Sequence, residues 1–112
     1  MTTDLVTCDA DATVRDATER MLRNRVSSVV VTDDGTPAGI LTESDVLRAG
    51  YATDDPLSTI PVRKAASAPL VTVRPSATLR TATKRMRSEG VKKLVVVDGM
   101  SPEGIVTPQD VV

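Results

Sequence analysis

The sequence predicts an α+β fold built from two tandem β-α-β-β-α repeats that pack with approximate two-fold symmetry. Three features predict it: an internal repeat, apolar residues at helical spacing after a Thr cap, and short β-branched runs followed by turn residues. A shift of 65 residues aligns residues 5–47 with residues 70–112 without a gap, and 20 of the 43 pairs are identical. A period of this length is typical of duplicated structural units, so the same order of elements is predicted in both copies.

Each copy is predicted to begin with an apolar strand, at residues 6–8 and 71–73, and to continue with an amphipathic helix. Thr13 and Thr78 are predicted N-caps, because a Thr hydroxyl accepts a hydrogen bond from a free amide of the first helical turn. Apolar residues then recur at helical spacing and predict one apolar stripe per helix. The stripes are Val14, Ala17 and Met21 in the first copy and Leu79, Ala82 and Met86 in the second.

A β-hairpin is predicted to follow each helix. Residues 29–31 and 94–97 are short, apolar and β-branched, as expected of buried strands. Asp34-Gly35 and Asp98-Gly99 supply turn residues, and residues 39–41 and 104–106 form the returning strands. A second helix then starts after the returning strand in each copy.

The predicted boundaries are 1–47 for the first repeat, 48–69 for a connector and 70–112 for the second repeat. The connector holds Gly50 and three prolines, which favour short helical pieces at most. The second repeat ends where the first continues into its last helix, so that C-terminal helix is expected to be truncated. The chain is then either a trimmed module of a longer protein or a minimal stand-alone one. A unit of 43 residues buries little surface alone, so each sheet is expected to bury one face against its twin.

Composition excludes several classes of protein. The chain has no His and a single Cys, which argues against zinc chemistry, disulfides and the usual general base, so no enzyme and no metal site are predicted. A net charge of -1 and one aromatic residue, Tyr51, argue against nucleic-acid binding. The chain has no apolar stretch of membrane-spanning length and no secretory signal at its N-terminus, which favours a cytoplasmic protein without membrane contact.

The order of elements and two heptapeptides resemble the cystathionine beta-synthase (CBS) domain pair, also called a Bateman module. The heptapeptides are Gly39-Ile40-Leu41-Thr42-Glu43-Ser44-Asp45 and Gly104-Ile105-Val106-Thr107-Pro108-Gln109-Asp110. Both fit the family pattern of Gly, two apolar residues, Thr or Ser, two variable residues and Asp. The resemblance covers nearly the whole chain.

The resemblance implies a regulatory module that binds adenosine-containing nucleotides in clefts between the two repeats. AMP, ADP or ATP is the implied ligand, with S-adenosylmethionine and NAD as further candidates, and no cofactor is implied. Binding would regulate an attached or separate effector protein. The resemblance also implies a homodimer, which the helices would form through small side chains: Ala17, Thr18, Ala82 and Thr83. If the intramolecular core consumes the apolar stripes instead, other helical surfaces must form the dimer.

Carried over by position, Thr42 and Asp45 would line one cleft, and Thr107 and Asp110 the other. Each Asp would accept hydrogen bonds from ribose hydroxyls, and each Thr would lie near ribose or phosphate. The adenine would contact the first strand of each copy. Those residues are Val6, Thr7 and Cys8 in the first copy and Val71, Thr72 and Val73 in the second.

Basic residues near the strands are candidates for phosphate contact. Arg25 matches a position where some nucleotide-binding members carry a phosphate-contacting Arg, while its counterpart in the second copy is Gly90. The remaining candidates are Lys92 and Lys93 in the second copy and Arg63 and Lys64 in the connector. An isolated charge beside a strand is also commonly a solvated side chain.

Two alternatives stay open. Thr42 to Asp45 and Thr107 to Asp110 also read as capping boxes, so these residues have a structural role with or without a ligand. The chain would then be a structural or dimerisation module with empty clefts. Cys8 is expected to act as a small buried hydrophobic residue.

Overall fold

The computed structural model describes residues 5–66, 70–99 and 101–107, and it has the α+β fold that the sequence predicts. The chain divides into two compact units, one of Val6–Pro69 and one of Met1–Leu5 together with Leu70–Val112, each with one three-stranded sheet. The first unit contains β1 (Thr7–Asp9), α1 (Val14–Asn24), β2 (Ser28–Asp33), β3 (Thr36–Thr42), α2 (Glu43–Thr53), a 3₁₀ turn (Leu57–Thr59) and α3 (Val62–Ala65). The second contains β4 (Thr72–Val73), α4 (Leu79–Glu89), β5 (Leu94–Asp98) and β6 (Ser101–Val106).

The two sheets have the same topology. β1 runs parallel to β2, and β2 pairs antiparallel with β3, while β4, β5 and β6 repeat this arrangement. Both hairpins carry a bulge at the same position of the repeat, next to Pro37 and Pro102. Proline cannot donate to the ladder, so the bulge accommodates it without breaking the pairing. The two copies therefore share the register of their paired strands as well as much of their sequence.

The predicted helix caps are confirmed. The hydroxyl oxygens of Thr13 and Thr78 accept hydrogen bonds from the amides of Asp16 and Thr81, each at 3.1 Å. Both helices also end alike, because the amide of Val26 or Val91 donates to a Met carbonyl one turn earlier at 3.0 Å. This is the Schellman pattern, which requires a left-handed residue at the helix end.

The apolar stripe of α1 is buried in the core of the first unit. Val14, Ala17 and Met21 are all buried, and Ala17 and Met21 pack with Val29 and Val31 of β2. In α4, Ala82 and Met86 are buried, whereas Leu79 remains half exposed. The expectation that Ala17 and Ala82 allow a close approach of helices from another molecule is therefore wrong, since neither side chain reaches the surface. Any homodimer must use other surfaces.

The connector packs back onto the first repeat. α2 continues through Thr53, past the predicted boundary at residue 47. The backbone around Pro61 then pairs with the loop before α1, where the amide of Val62 donates to the carbonyl of Ala12 at 2.8 Å. Val62 is fully buried in the first unit's core. Backbone hydrogen bonds and apolar burial thus fix the end of the connector on the first repeat.

Candidate functional site

The first family motif lies where β3 ends and α2 begins. Thr42 is the N-cap, with its hydroxyl accepting from the amide of Asp45 at 3.2 Å. The Asp45 carboxylate accepts from the amide of Thr42 at 2.9 Å, which completes a reciprocal capping box. The predicted capping role is confirmed here.

Asp45 is 3% exposed, although it is a carboxylate. Its second oxygen, Oδ1, accepts from the Arg48 guanidinium at 3.0 Å, while the Arg48 side chain itself is 71% exposed. A buried carboxylate is costly unless it is paired and hydrogen-bonded, and here both conditions are met. The bonds from Thr42 and Arg48 therefore hold the Asp45 carboxylate in one fixed orientation at the strand–helix junction.

The second family motif is described only in part. Thr107 lies half-buried directly after β6, at the position equivalent to Thr42. Asp110 and the predicted helix after Thr107 lie outside the described residues. The roles assigned to Thr107 and Asp110 stay predictions.

The first strands place the predicted adenine contacts beside the central strand of each sheet. Val6 and Thr7 are half-buried and Cys8 is buried, which confirms the expectation for Cys8. Burial raises the pKa of the Cys8 thiol, and Asp16 and Asp9 add to the effect, while Arg20 opposes it. In the second unit Val71 is buried, and Thr72 and Val73 are half-buried.

The basic candidates differ in their surroundings. Arg25 is exposed and ends α1 in the left-handed region, with φ of 54°. Lys92 and Lys64 are exposed, and Lys93 is half-buried just before β5.

Arg63 is already paired. Its guanidinium donates to Asp11 at 2.8 Å and lies 3.8 Å from Asp33. The hydrogen bond that Arg63 donates to the Asp11 carboxylate raises the pKa of Arg63 above its already high ordinary value, and the charges of Asp11 and Asp33 add to the effect. Arg63 is therefore already paired with two carboxylates of the first unit, Asp11 and Asp33.

The second unit holds a cavity that the sequence did not indicate. Its volume is about 620 Å³, and it lies beside β4, the loop that follows β4, and α4. Two arginines line it, Arg74 and Arg85, and the side chain of neither has a hydrogen bond or ion pair with another described residue. The full lining is Thr72, Val73, Arg74, Ser76, Ala77, Thr81, Arg85, Val97 and Gly99.

The chemistry of this cavity suits an anion, since two guanidinium groups and three hydroxyl groups supply donors. The predicted residues Thr72 and Val73 lie in its wall, whereas Arg74 and Arg85 were missed. The repeat alignment carried a signal for Arg74, because the equivalent residue of the first copy is the acidic Asp9. A smaller cavity of about 420 Å³ shares Val73, Arg74 and Ala77 with it. Its other lining residues are three core residues, Ala82, Val96 and Val106, and five exposed ones, Pro75, Thr78, Leu79, Asp98 and Glu103.

Other kinds of site are not indicated among the residues that the structure describes. Their Cys, Asp and Glu side chains form no group that suits a metal ion. Over the same residues, none of the helices has the length and apolar character needed to cross a bilayer.

The chain belongs to the CBS domain family, whose pattern matches residues 1–52 and again residues 62–112. It is 30% identical to the uncharacterised protein MJ1404 of Methanocaldococcus jannaschii over all of this chain, which spans 30% of the length of MJ1404.

Two solved structures illustrate the similarity. The CBS domain protein PAE2072 from Pyrobaculum aerophilum, complexed with AMP, is 26% identical with a TM-score of 0.79, over 95% of this chain and 82% of that one. The hexameric CBS-CP12 protein from bloom-forming cyanobacteria is 26% identical with a TM-score of 0.85, over 99% and 65% of the two chains. The chain is therefore a tandem CBS domain pair, as the resemblance implied.

Proposed function

We propose that this CBS domain pair is a non-catalytic regulatory module that binds an adenine nucleotide of the AMP, ADP or ATP class. The observation that carries the proposal is the buried Asp45 carboxylate at the β3–α2 junction, in a motif that occurs in both repeats. The Asp45 carboxylate is held in one orientation, so little ordering entropy is lost when it accepts ribose hydroxyls, which replace the exposed Arg48 guanidinium on Oδ1.

Phosphate recognition is the second requirement, and guanidinium groups whose side chains have no partner among the described residues supply it. The strained backbone of Arg25 suggests a role other than stability, because the second repeat uses Gly90 at the same helix end. Arg74 and Arg85 offer a further anion-binding site in the second unit. That PAE2072 is complexed with AMP supports an adenine nucleotide as the ligand.

The proposed partners are the nucleotide, a second copy of the chain and an attached or separate effector protein. Self-association is supported by exposed apolar side chains on the helices and by the hexameric assembly of the CBS-CP12 relative. Leu47 and Tyr51, one helical turn apart on α2, are 74% and 93% exposed. In a cytoplasmic setting such a module would transmit nucleotide levels to its effector.

Titration calorimetry with AMP, ADP, ATP, S-adenosylmethionine and NAD tests the proposal. We expect at least one adenosine compound to bind, and Asp45→Ala to weaken binding more than Asp110→Ala. The reason is that the first repeat alone combines its Asp with an Arg at the phosphate position. Loss of a hydrogen bond to a charged group costs about 1.5 to 3 kcal/mol, which corresponds to at least a tenfold loss of affinity.

Asp45→Ala also removes the reciprocal half of the capping box of α2, so the fold needs a control. Asp45→Asn keeps the shape and one acceptor, and its thermal melt shows whether the first unit remains folded. Equal affinities of the Asp45 and Asp110 variants would contradict the ranking. If none of the five compounds binds at millimolar concentration, the chain is instead a structural module, in which Asp45 caps α2 and pairs with Arg48.

A further inference from the structure

The end of the connector lies in a groove of the first repeat. Three main-chain hydrogen bonds of 2.8, 2.8 and 3.1 Å join residues 60–63 to residues 10–14. Ile60 and Val62 are 5% and 0% exposed, so both side chains act as apolar anchors. We define the first docking groove by five residues of the repeat that share a core cluster with Val62: Cys8, Ala10, Ala17, Val31 and Leu41.

The second repeat has a cavity at the same position. Because the two sheets share their strand register, residues that align in sequence hold equivalent places. We define the second docking groove by the residues that align with the first: Val73, Pro75, Ala82, Val96 and Val106. All five line the cavity of about 420 Å³. The place that a connector side chain fills in one repeat is therefore a cavity in the other.

Apolar and main-chain groups beside the second docking groove are exposed. Leu79 is 53% exposed, whereas the aligned Val14 is fully buried. Pro75 is also exposed, whereas the aligned Ala10 is buried. The carbonyls of Pro75 and Ala77 and the amide of Leu79 have no hydrogen-bond partner among the described residues, while their counterparts in the first repeat bond to the connector. Such a surface suits a docked segment, which binds through its main chain and places side chains in pockets.

The two grooves differ in charge. In the first repeat the guanidinium of Arg63 lies among three carboxylates, those of Asp9, Asp11 and Asp33. The aligned residues of the second repeat are Arg74, Ser76 and Asp98, whose charges sum to zero. The whole copies differ in the same direction, since residues 5–47 have a net charge of -4 and residues 70–112 a net charge of +3. A basic segment such as the connector therefore suits the first groove better than the second.

Two guanidinium groups extend the second docking groove into the larger cavity. Arg74 lines both cavities, and Arg85 lines the one of about 620 Å³ together with three hydroxyl groups. The described lining of that larger cavity contains no acidic residue. In the first repeat the aligned Arg20 is engaged, since it donates to the Thr7 carbonyl at 2.9 Å. A carboxylate next to an apolar anchor fits the second repeat, because guanidinium groups bind carboxylates through charge-assisted hydrogen bonds.

We propose that the second docking groove binds a short acidic segment of a separate effector protein. The segment has the order aliphatic, Pro, aliphatic, acidic, which is the order of residues 60–63 with the charge reversed. Its second aliphatic side chain enters the smaller cavity, and its carboxylate reaches Arg74 and Arg85 in the larger one. This inference rests on the effector of the proposed function and adds the surface and the chemistry of that contact.

A second copy of the chain and a nucleic acid fit this groove less well. In a second copy the matching segment is already buried in its own first unit through Val62, and it carries the positive charges of Arg63 and Lys64. A nucleic acid offers phosphates for the guanidinium groups, but it has no aliphatic side chain for the smaller cavity.

Fluorescence anisotropy of labelled nonapeptides with the full chain tests the proposal. The first peptide has the sequence of residues 58–66, and the second carries Arg63→Glu and Lys64→Glu in that sequence. We expect the acidic peptide to bind at least tenfold more tightly, because a charge-assisted hydrogen bond to Arg74 replaces a repulsion. A third peptide, which adds Val62→Ser to the acidic changes, should lose about tenfold in affinity, since its anchor no longer buries apolar surface.

A reversal variant and a matched control separate this groove from the rest of the basic surface. Arg74→Glu supplies a negative charge where the first repeat has Asp9, so it should reverse the order of the two affinities. Lys84→Glu makes the same change of charge on the exposed surface of α4, outside the described lining of both cavities, and should leave the order unchanged. Thermal melts of both variants report folding. The amide resonance of Leu79 should shift when the acidic peptide binds.

Several results would overturn the proposal. If neither charged peptide binds at millimolar concentration, the groove has no occupant of this kind, and the nucleotide titrations still decide the proposed function separately. A basic peptide that binds more tightly, or an order that Arg74→Glu leaves unchanged, contradicts the acidic chemistry. Displacement of the acidic peptide by duplex DNA, or loss of self-association when the peptide binds, identifies a nucleic acid or a second copy as the occupant.

Discussion

Arg25 shows how one residue position separates the two repeats. It lies at φ of 54°, a region in which side chains clash with the following carbonyl, while Gly90 occupies φ of 66° at the equivalent place. We expect Arg25→Gly to raise the free energy of unfolding by about 1 kcal/mol and Gly90→Arg to lower it by a similar amount. Space does not limit the second change, since a Cβ at Gly90 meets nothing within 4 Å.

Urea unfolding of both variants measures these changes, and titration of Arg25→Gly with nucleotide measures its binding. A variant that gains stability and loses affinity indicates that Arg25 is retained for binding at the expense of the fold. A loss of stability on Arg25→Gly would show that the side chain contributes more than its backbone strain costs.

Cys8 makes stability depend on pH in the alkaline range. Burial raises the pKa of the folded thiol, so the unfolded chain loses its proton at a lower pH than the folded one. Both states are protonated below about pH 8.5, where the thiol adds nothing to the pH dependence. As pH rises above that value, thiolate formation favours the unfolded state, and stability falls.

Cys8→Val is the matched control, because the second repeat has Val73 at this position. The difference in unfolding free energy between wild type and Cys8→Val should shift against the wild type from pH 8 to pH 10. The wild-type thiol should also resist iodoacetamide at neutral pH, since a buried thiol is not the nucleophile. Rapid alkylation of the folded protein would contradict the burial argument.

At the scale of elements, α1 and α4 test the value of a complete capping box. Thr13 and Asp16 cap each other reciprocally, with the Asp16 carboxylate accepting from the Thr13 amide at 3.2 Å. The Thr78 hydroxyl accepts from the Thr81 amide and donates to the Thr81 hydroxyl, each at 3.1 Å, but the third helical position of α4 is Thr81 and offers no carboxylate to the Thr78 amide. We expect Thr13→Ala to destabilise the first unit by about 1 to 2 kcal/mol and Thr78→Ala to cost about 1 kcal/mol or less.

Hydrogen exchange of the two helices gives the measurement within a single chain, because each variant should raise exchange in its own helix. Thr18→Ala is a suitable control, since Thr18 lies on α1 and donates only to the Val14 carbonyl. A greater loss from Thr78→Ala would mean that the reciprocal bond of Asp16 adds nothing.

At the scale of the whole molecule, duplication explains both the similarity of the units and their divergence. The repeats keep the residues that define register and caps, such as Gly39 and Gly104, and change those on the surface. One copy has thereby become acidic and the other basic. Since each unit retains its own sheet and core, the charges have changed without altering the topology.

Much of the fold could be predicted from the sequence, because the patterns that indicate its elements are local or periodic. The 65-residue shift predicted the matching of elements, and Thr13 and Thr78 marked the helix starts to the residue. The heptapeptide from Gly39 to Asp45 indicated both the family and a capping box, and both are confirmed. Local propensity and hydrophobic period decide such features, so no knowledge of distant contacts is needed.

Less of the candidate site could be predicted from the sequence, because the partners of a side chain depend on which distant segments of the chain come into contact. Arg63 was a candidate for phosphate, but packing of the connector on the first repeat places it against Asp11, 52 residues away in sequence. Arg74 and Arg85 were missed because a cavity is a property of packed elements. The sequence by itself determined the repeat, the elements, their caps and the family. Only the tertiary structure decided that Asp45 is buried and paired with Arg48, and which basic side chains lack a partner among the residues that the structure describes, since burial and ion pairing arise when the chain packs.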